Sequence, residues 1–316
     1  MRETAFLFPG QASQYVGMGK DFYDSSPTVK ELYQRASDIL EYDLADVSFN
    51  GPMEKLTQTA YTQPAILVHS LVVLAKMGEL SEKPRFVAGH SLGEFSALYA
   101  AGVLSFDDAV LAVRERSRLM QKACDAKDGT MAALIGCEGE NLEKLLEEAS
   151  KAGIIQPANF NSPGQVALSG DRSAIEKTVA VAKDFGAKKA LPLKVGGAFH
   201  SPLMEPAGEP LAEVLAEIEF KPARIDVVTN VEAEPQNDPD KLRELLIKQI
   251  TSPVLWRQSL EKMHSEGVTR FVEIGPGKVL SGLVKRTLKG AQIENIDHLE
   301  DMQKFLDSVS AGADKQ

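Results

Sequence analysis

Residues 89–93 read Gly89-His90-Ser91-Leu92-Gly93, a G-x-S-x-G pentapeptide whose flanks differ in character. Arg85 to Ala88 is short and mostly apolar and follows Pro84, which reads as a buried strand. Glu94 to Ala101 is rich in Ala, Leu and Glu, which reads as a helix. A serine at a sharp strand-to-helix turn stands clear of the backbone, and the glycines beside it let the chain bend that tightly. The amide of Leu92 then falls at a helix N-terminus, where it can donate to an oxyanion. In a chain with 24 glycines the pentapeptide alone is a weak signal. Strand and helix on either side make Ser91 a candidate nucleophile and commit this part of the chain to an α/β arrangement.

The rest of the chain extends that arrangement. Thr4 to Phe8 reads as a strand ending in the loop Pro9 to Gln14. Helices are expected from Ser26-Pro27, from Thr62-Gln63-Pro64, and from Ser105 with Asp108 as a capping box. Between Gly129 and Val195 the rhythm becomes β-α-β-β-α-β, with strands at 130–135, 154–159, 165–169 and 188–195, the order of a split ferredoxin-like unit. Beyond it a helix from Pro202, a strand at 225–230, helices from Asp238-Pro239 and from Pro253, a strand at 270–274, a helix from Lys278 and a strand at 292–296 are expected, with a small polar tail from Ser310. Outside the insertion strands and helices alternate, which calls for a mostly parallel sheet covered on both faces. The expected fold is therefore α/β: a large α/β-hydrolase-like lobe from residues 1–127 and 196–316, and a small ferredoxin-like lobe from 128–195.

Charge and composition exclude several classes. The net charge of −10 argues against a nucleic-acid binder. Cys124 and Cys137 form no metal-ligand pattern and fit free thiols in a reducing cytosol. Residues 1–8 carry no signal-peptide core, and the apolar helix 64–78 is interrupted by His69, Ser70 and Lys76. A soluble cytoplasmic protein is expected.

A serine nucleophile needs a base. Of the five histidines, His200 follows a glycine-rich loop and precedes a helix, a place from which a ring can face a cleft. His90, adjacent to Ser91, should point away from it. No Asp or Glu between Ser91 and His200 stands out as the acid of an esterase triad. On the helix from Ser105, Ala109, Val113, Arg116 and Met120 share one inward stripe. Arg116 has no acidic residue three or four positions away, so it needs a carboxylate either from another segment or from a ligand.

Together these residues resemble the malonyl-CoA:acyl carrier protein transacylases and the acyltransferase domains of fatty-acid and polyketide synthases. The resemblance runs over nearly the whole chain and rests on Phe8-Pro9-Gly10-Gln11-Ala12-Ser13-Gln14, Thr62-Gln63-Pro64, Gly89 to Glu94, Arg116 before Leu119-Met120-Gln121, Asn161 to Gln165, Ala198-Phe199-His200-Ser201, Gln249 before Pro253-Val254, and Glu273 to Gly277. With no neighbouring synthase domain in view, it points to the stand-alone bacterial form. It implies Ser91 as nucleophile, His200 as base, and the amides of Gln11 and Leu92 as oxyanion hole. It further implies Arg116 as the site for the malonate carboxylate, and the backbone carbonyl of Gln249 as the partner of His200 in place of an acid. Gln63 and Asn161 match site-lining positions. Leu92 and Phe199 resemble the malonyl-selecting pattern, where methylmalonyl-selecting relatives tend to carry Gln and Ser. The implied partners are malonyl-CoA and holo-acyl carrier protein, with no bound cofactor, metal, nucleic acid or membrane, in a monomer. Lys188-Lys189, Lys194, Lys285-Arg286 and Lys289 are candidates for a basic rim, and each can equally be a solvated surface residue. Ala12 departs from the family, which usually has Gly there. The competing readings are a serine thioesterase or hydrolase and a non-catalytic scaffold of the same fold.

Overall fold

The computed structural model describes residues 3–78 and 83–313. In chain order its strands are β1 (Glu3–Phe8), β2 (Phe86–Gly89), β3 (Gly129–Ile135), β4 (Ile155–Ser162), β5 (Gln165–Asp171), β6 (Lys189–Pro192), β7 (Asp226–Val228), β8 (Pro235–Gln236), β9 (Val268–Ile274) and β10 (Gln292–Ile296). Six form one sheet in the order β10-β9-β1-β2-β7-β8, parallel except for the short β8 at its edge. The strand period of two makes β1 two-faced. Phe6 and Phe8 join one core with Val87, Val272 and Ile274. Ala5 and Leu7 join the other with Phe86, Ala88, Phe271 and Trp256. Helices Thr59–Met77, Gly93–Ala100 and Phe106–Ala126 contribute to the first core, and Trp256–Ser265 and Val279–Thr287 to the second. A parallel sheet buried on both sides is what continuous apolar strands require.

The other four strands lie within residues 129–192 and form an antiparallel sheet in the order β4-β5-β3-β6, with helices Gly139–Ser150 and Arg172–Val181 completing the split β-α-β-β-α-β order. Its β4 edge is tied to the larger sheet's segment before Trp256: Phe160 N donates to Val254 O at 2.9 Å and Val254 N to Ala158 O at 2.8 Å.

That pairing corrects one expectation. The helix expected from Pro253 begins at Trp256, because the Val254 N–H is committed to β4. The helix expected from Thr62 begins at Thr59 and carries Pro64 inside it; a proline there forfeits the bond its missing N–H would have made and crowds the carbonyl of Ala60. The helix expected from Pro202 starts as a 3-10 turn, Pro202–Ala207, before Gly208–Glu217 continues as α-helix. The strand expected at 225–230 is shorter, which releases Asn230 for side-chain work. The tail expected from Ser310 is helical to Ala313, within Leu299–Ala313, and residues 314–316 lie outside those described. This helix is held by Met302 and Phe305, the latter edge-on to Phe6 with ring centroids 6.3 Å apart.

Candidate active site

The turn after β2 is built on close backbone approach. A Cβ on Gly89 would lie 1.9 Å from the Gly93 carbonyl, and one on Gly93 would lie 2.1 Å from Phe8 O. No other residue allows the strand, the turn and the helix Gly93–Ala100 to meet there. Ser91 itself sits at φ 53°, a left-handed conformation that a non-glycine residue adopts only when its surroundings hold it. Asn230 supplies the hold: its Oδ1 accepts from Ser91 N at 2.7 Å and its Nδ2 donates to Gly89 O at 2.6 Å.

His200 also lies in the left-handed region, at φ 56°. Its Nε2 is 2.7 Å from Ser91 Oγ, and its Nδ1 is 2.7 Å from the carbonyl oxygen of Gln249. A carbonyl only accepts, so Nδ1 carries the proton and Nε2 presents its lone pair to the serine hydroxyl. Gln249 ends the helix Pro239–Gln249, where carbonyls lack partners within the helix. Burial and the nearby Arg116 lower the His200 pKa to about 3, so the ring is neutral at pH 7. Gln156 of β4 braces this loop, its Nε2 donating to His200 O at 2.6 Å and to Thr251 O at 2.9 Å.

The stripe Ala109, Val113, Arg116 and Met120 is buried, as its spacing predicts. Arg116 is 1% exposed. Its partners are not carboxylates: Nη1 donates to Gln63 Oε1 at 2.6 Å, and Nη2 to Gln249 Oε1 at 2.8 Å and to Ser91 Oγ at 3.2 Å. Its guanidinium also lies over the Phe95 ring, 5.7 Å from the centroid. Burial lowers its pKa to about 10, offset in part by the charge of Glu94. Glu94 is the residue the sequence reading missed. It is an acidic group between Ser91 and His200 in the chain, 2% exposed, and it touches Gln249 rather than either histidine. The signal was present: a glutamate followed by Phe95, Ala97 and Leu98 in an otherwise apolar helix is a buried charge that needs partners. Asn230 and Gln156 gave no comparable signal, since each lies at a strand end or edge where polar residues are ordinary.

The remaining candidates surround one cavity of about 240 Å³ between the two sheets, lined by Gln11, Gln63, Ser91, Leu92, Arg116, Asn161, Phe199 and His200. Among the described residues, neither the Gln11 nor the Leu92 amide donates to a protein acceptor. The Ser91 amide is already taken by Asn230. His90 turns away from Ser91, bonding Asn161 Oδ1 at 2.9 Å and meeting Trp256 edge-on. Of the basic candidates, Arg286 lines the cavity, while Lys188, Lys189, Lys194, Lys285 and Lys289 are exposed outside it. A roomier hollow of about 380 Å³, lined by Phe6, Tyr99 and Arg224 among others, contains none of these site residues. Both cysteines are free and buried. Among the described residues no helix is long and apolar enough to cross a membrane.

The chain as a whole is similar to known proteins. Residues 5–311 match the family described as the acyl transferase domain. A malonyl CoA-acyl carrier protein transacylase of Bacillus subtilis (strain 168) is 46% identical over 304 residues, covering 95% of this chain and 96% of that one. The crystal structure of an acyl carrier protein S-malonyltransferase from Vibrio cholerae superposes with a TM-score of 0.91 at 42% identity, covering 96% of this chain and 99% of that one. A malonyl-transacylase solved in complex with its type II polyketide-synthase acyl carrier protein gives a TM-score of 0.92 at 38% identity, over 97% and 99% of the two chains.

Proposed function

The chain belongs to the acyl transferase family, and from that premise we propose that Ser91, His200 and Arg116 transfer malonyl from malonyl-CoA to the pantetheine thiol of holo-acyl carrier protein. The observation that carries this reading is the position of Arg116. A buried guanidinium 3.2 Å from the serine oxygen puts a fixed positive charge within reach of any acyl group joined to that oxygen. Malonyl brings a terminal carboxylate to it, and acetyl brings none.

The reaction runs in two halves. The Ser91 hydroxyl passes its proton to His200 Nε2 as its oxygen attacks the thioester carbonyl. The negative charge on the tetrahedral intermediate is received by the Gln11 and Leu92 amides, the latter at the N-terminus of a helix. The intermediate collapses, the C–S bond breaks, and CoA leaves with the proton from His200. In the second half the pantetheine thiol gives its proton to His200 and attacks malonyl-Ser91, and the Ser91 oxygen leaves with that proton. The Gln249 carbonyl holds the His200 tautomer throughout. No resident metal or prosthetic group takes part. The product is malonyl-acyl carrier protein for fatty-acid or polyketide synthesis. We take the working unit to be a cytoplasmic monomer in which residues 1–127 with 196–316 form the catalytic lobe and 128–195 the small ferredoxin-like lobe, free of nucleic acid and membrane.

Intact-mass analysis after mixing with malonyl-CoA tests this directly. A single malonyl adduct is expected on the wild type and none on Ser91→Ala. Holo-acyl carrier protein is expected to discharge the adduct far faster than water; equal rates would make the protein a hydrolase instead.

A further inference from the structure

The transfer steps leave a buried carboxyl at the site unused. Glu94 sits on the helix that follows the nucleophile, with Gly93 to Leu98 all buried. Its Oε2 accepts from Gln249 Nε2 at 2.5 Å, and its Oε1 accepts from the Asn230 backbone N–H at 3.3 Å. The other oxygens near Gln249 Nε2 are Ser91 O at 3.0 Å and Asn230 Oδ1 at 3.4 Å. On its far side Gln249 Oε1 accepts from Arg116 at 2.8 Å. With Glu94 ionised, the amide stands between a group that only accepts and a group that only donates, which leaves it one polarity. Flipped, its NH2 would face a guanidinium and its oxygen a carboxylate.

The arrangement settles a conflict. A buried guanidinium needs negative charge nearby, and a carboxylate bonded directly to it would compete with the carboxylate of the substrate. Passing the interaction through a neutral amide gives Arg116 a buried counter-charge while sparing donors for a ligand. Among the described residues, its Nε–H has no partner.

We propose that Glu94 is the positioning residue for malonyl recognition: by accepting from Gln249 Nε2 it fixes the amide, and the fixed amide oxygen holds Arg116 in the orientation that receives the acyl carboxylate. This rests on the malonyl-transfer reading above. Glutamate is required because both its oxygens accept. A glutamine in its place would set an NH2 against either the Asn230 N–H or the Gln249 NH2. Burial raises the Glu94 pKa to about 7, against the lowering effects of Gln249, the Asn230 N–H and Arg116, so the interaction is to be measured at pH 8.

The experiment is single-turnover acylation of Ser91 by malonyl-CoA and by acetyl-CoA, in the wild type, Glu94→Gln, Gln249→Met and the double variant, with thermal melts to establish folding. Loss of a charge-assisted hydrogen bond predicts that Glu94→Gln slows malonyl acylation about 10- to 100-fold and acetyl acylation by less than about threefold. Gln249→Met keeps the backbone carbonyl for His200 but removes both the relay and the bond to Ser91 O, so both acyl groups are expected to slow, malonyl by about tenfold or more beyond acetyl. In that background Glu94→Gln is expected to add nothing. Equal losses for both acyl groups, a wild-type rate in Glu94→Gln, or an undiminished Glu94 effect without the Gln249 amide would overturn the inference. If Glu94→Gln does not fold, unchanged acyl discrimination in Gln249→Met overturns it alone. A wild type that forms no malonyl adduct overturns the transfer reading and this inference with it, whereas normal wild-type acylation beside any of the contrary variant results overturns the inference only.

Discussion

Ala12 occupies a backbone conformation that suits a different residue. Its φ of 83° lies in the left-handed region, where a Cβ costs about 1–2 kcal/mol. Glycine there would recover that cost and lose about 0.5–1 kcal/mol to the freedom of the unfolded chain. Ala12→Gly is therefore expected to raise stability by up to about 1.5 kcal/mol in a denaturant titration, with malonyl transfer unchanged because the adjoining Gln11 amide keeps its place; a drop in stability would show that the loop is held in some other way. Arg116 makes a sharper test. From the sequence it needed a carboxylate from another segment or from a ligand, and without one its burial is costly. The structure supplies Gln63 and Gln249 oxygens, which soften that penalty without removing the charge. Arg116→Ala is expected to lower kcat/KM for malonyl-CoA about a hundredfold or more while changing that for acetyl-CoA only a few-fold, in steady-state assays with holo-acyl carrier protein. Equal losses would remove its carboxylate-binding role. Ser91, His200 and Arg116 were legible because each breaks a local pattern: a serine between turn glycines, a histidine after a glycine-rich loop, a cation on an apolar stripe. Glu94 was hidden by its resemblance to an ordinary helix former, since the three-dimensional partners that explain it lie far along the chain.

At the scale of elements, the His200 loop is shared property of both lobes. Gln156 reaches from β4 of the small sheet to two carbonyls of the large lobe, those of His200 and Thr251. It thereby links the loop that carries the base to the end of the helix whose carbonyl orients it. Gln156→Ala deletes both bonds and is expected to cost about 1–3 kcal/mol of stability. Because the base serves every acyl group, malonyl and acetyl acylation are expected to slow by the same factor, about tenfold. A malonyl-specific loss in stopped-flow acylation would contradict this and place Gln156 with Arg116 instead. Strands and long helices with a clean period were readable: β1, β2, β10 and the β-α-β-β-α-β insertion follow from apolar runs and turn residues. Elements whose existence depends on a distant partner were not. The Val254 bridge to β4 replaced the first turn of a helix, β8 is two residues long, and the short helices Leu44–Asn50 and Met53–Leu56 carry too few turns to show a period. The helix Leu299–Ala313 did carry a period, in Met302, Phe305, Leu306 and Val309, and was overlooked beside its polar neighbours.

For the whole molecule, buried ionisable groups set opposing slopes of stability against pH. His200 titrates near 3 when folded and near 6.5 when unfolded. The unfolded chain therefore takes up a proton that the folded one does not as pH falls below 6.5, and stability declines. His90, lowered chiefly by burial, acts in the same direction. Asp297 does too: although burial raises it, bonds from His69, the Gly277 amide and Tyr15 hold it below its usual value, so its contribution is lost in acid. Glu94 works the other way. Its carboxyl titrates near 7 when folded and near 4.5 when unfolded, so between those values the folded chain holds the extra proton and stability rises as pH falls. Each proton taken up differentially changes stability by about 1.4 kcal/mol per pH unit. From pH 6.5 to 4.5 the Glu94 slope offsets one histidine; below 4.5 it is spent while the His200 slope continues. Urea midpoints of the wild type are thus expected to fall more steeply below pH 4.5 than above it. Glu94→Gln removes the offset, so its stability is expected to fall faster than that of the wild type from pH 6.5 to 4.5 and in parallel with it below. Parallel curves across the whole range would mean that Glu94 binds its proton equally in the folded and the unfolded chain, so that burial beside Gln249 does not raise its carboxyl.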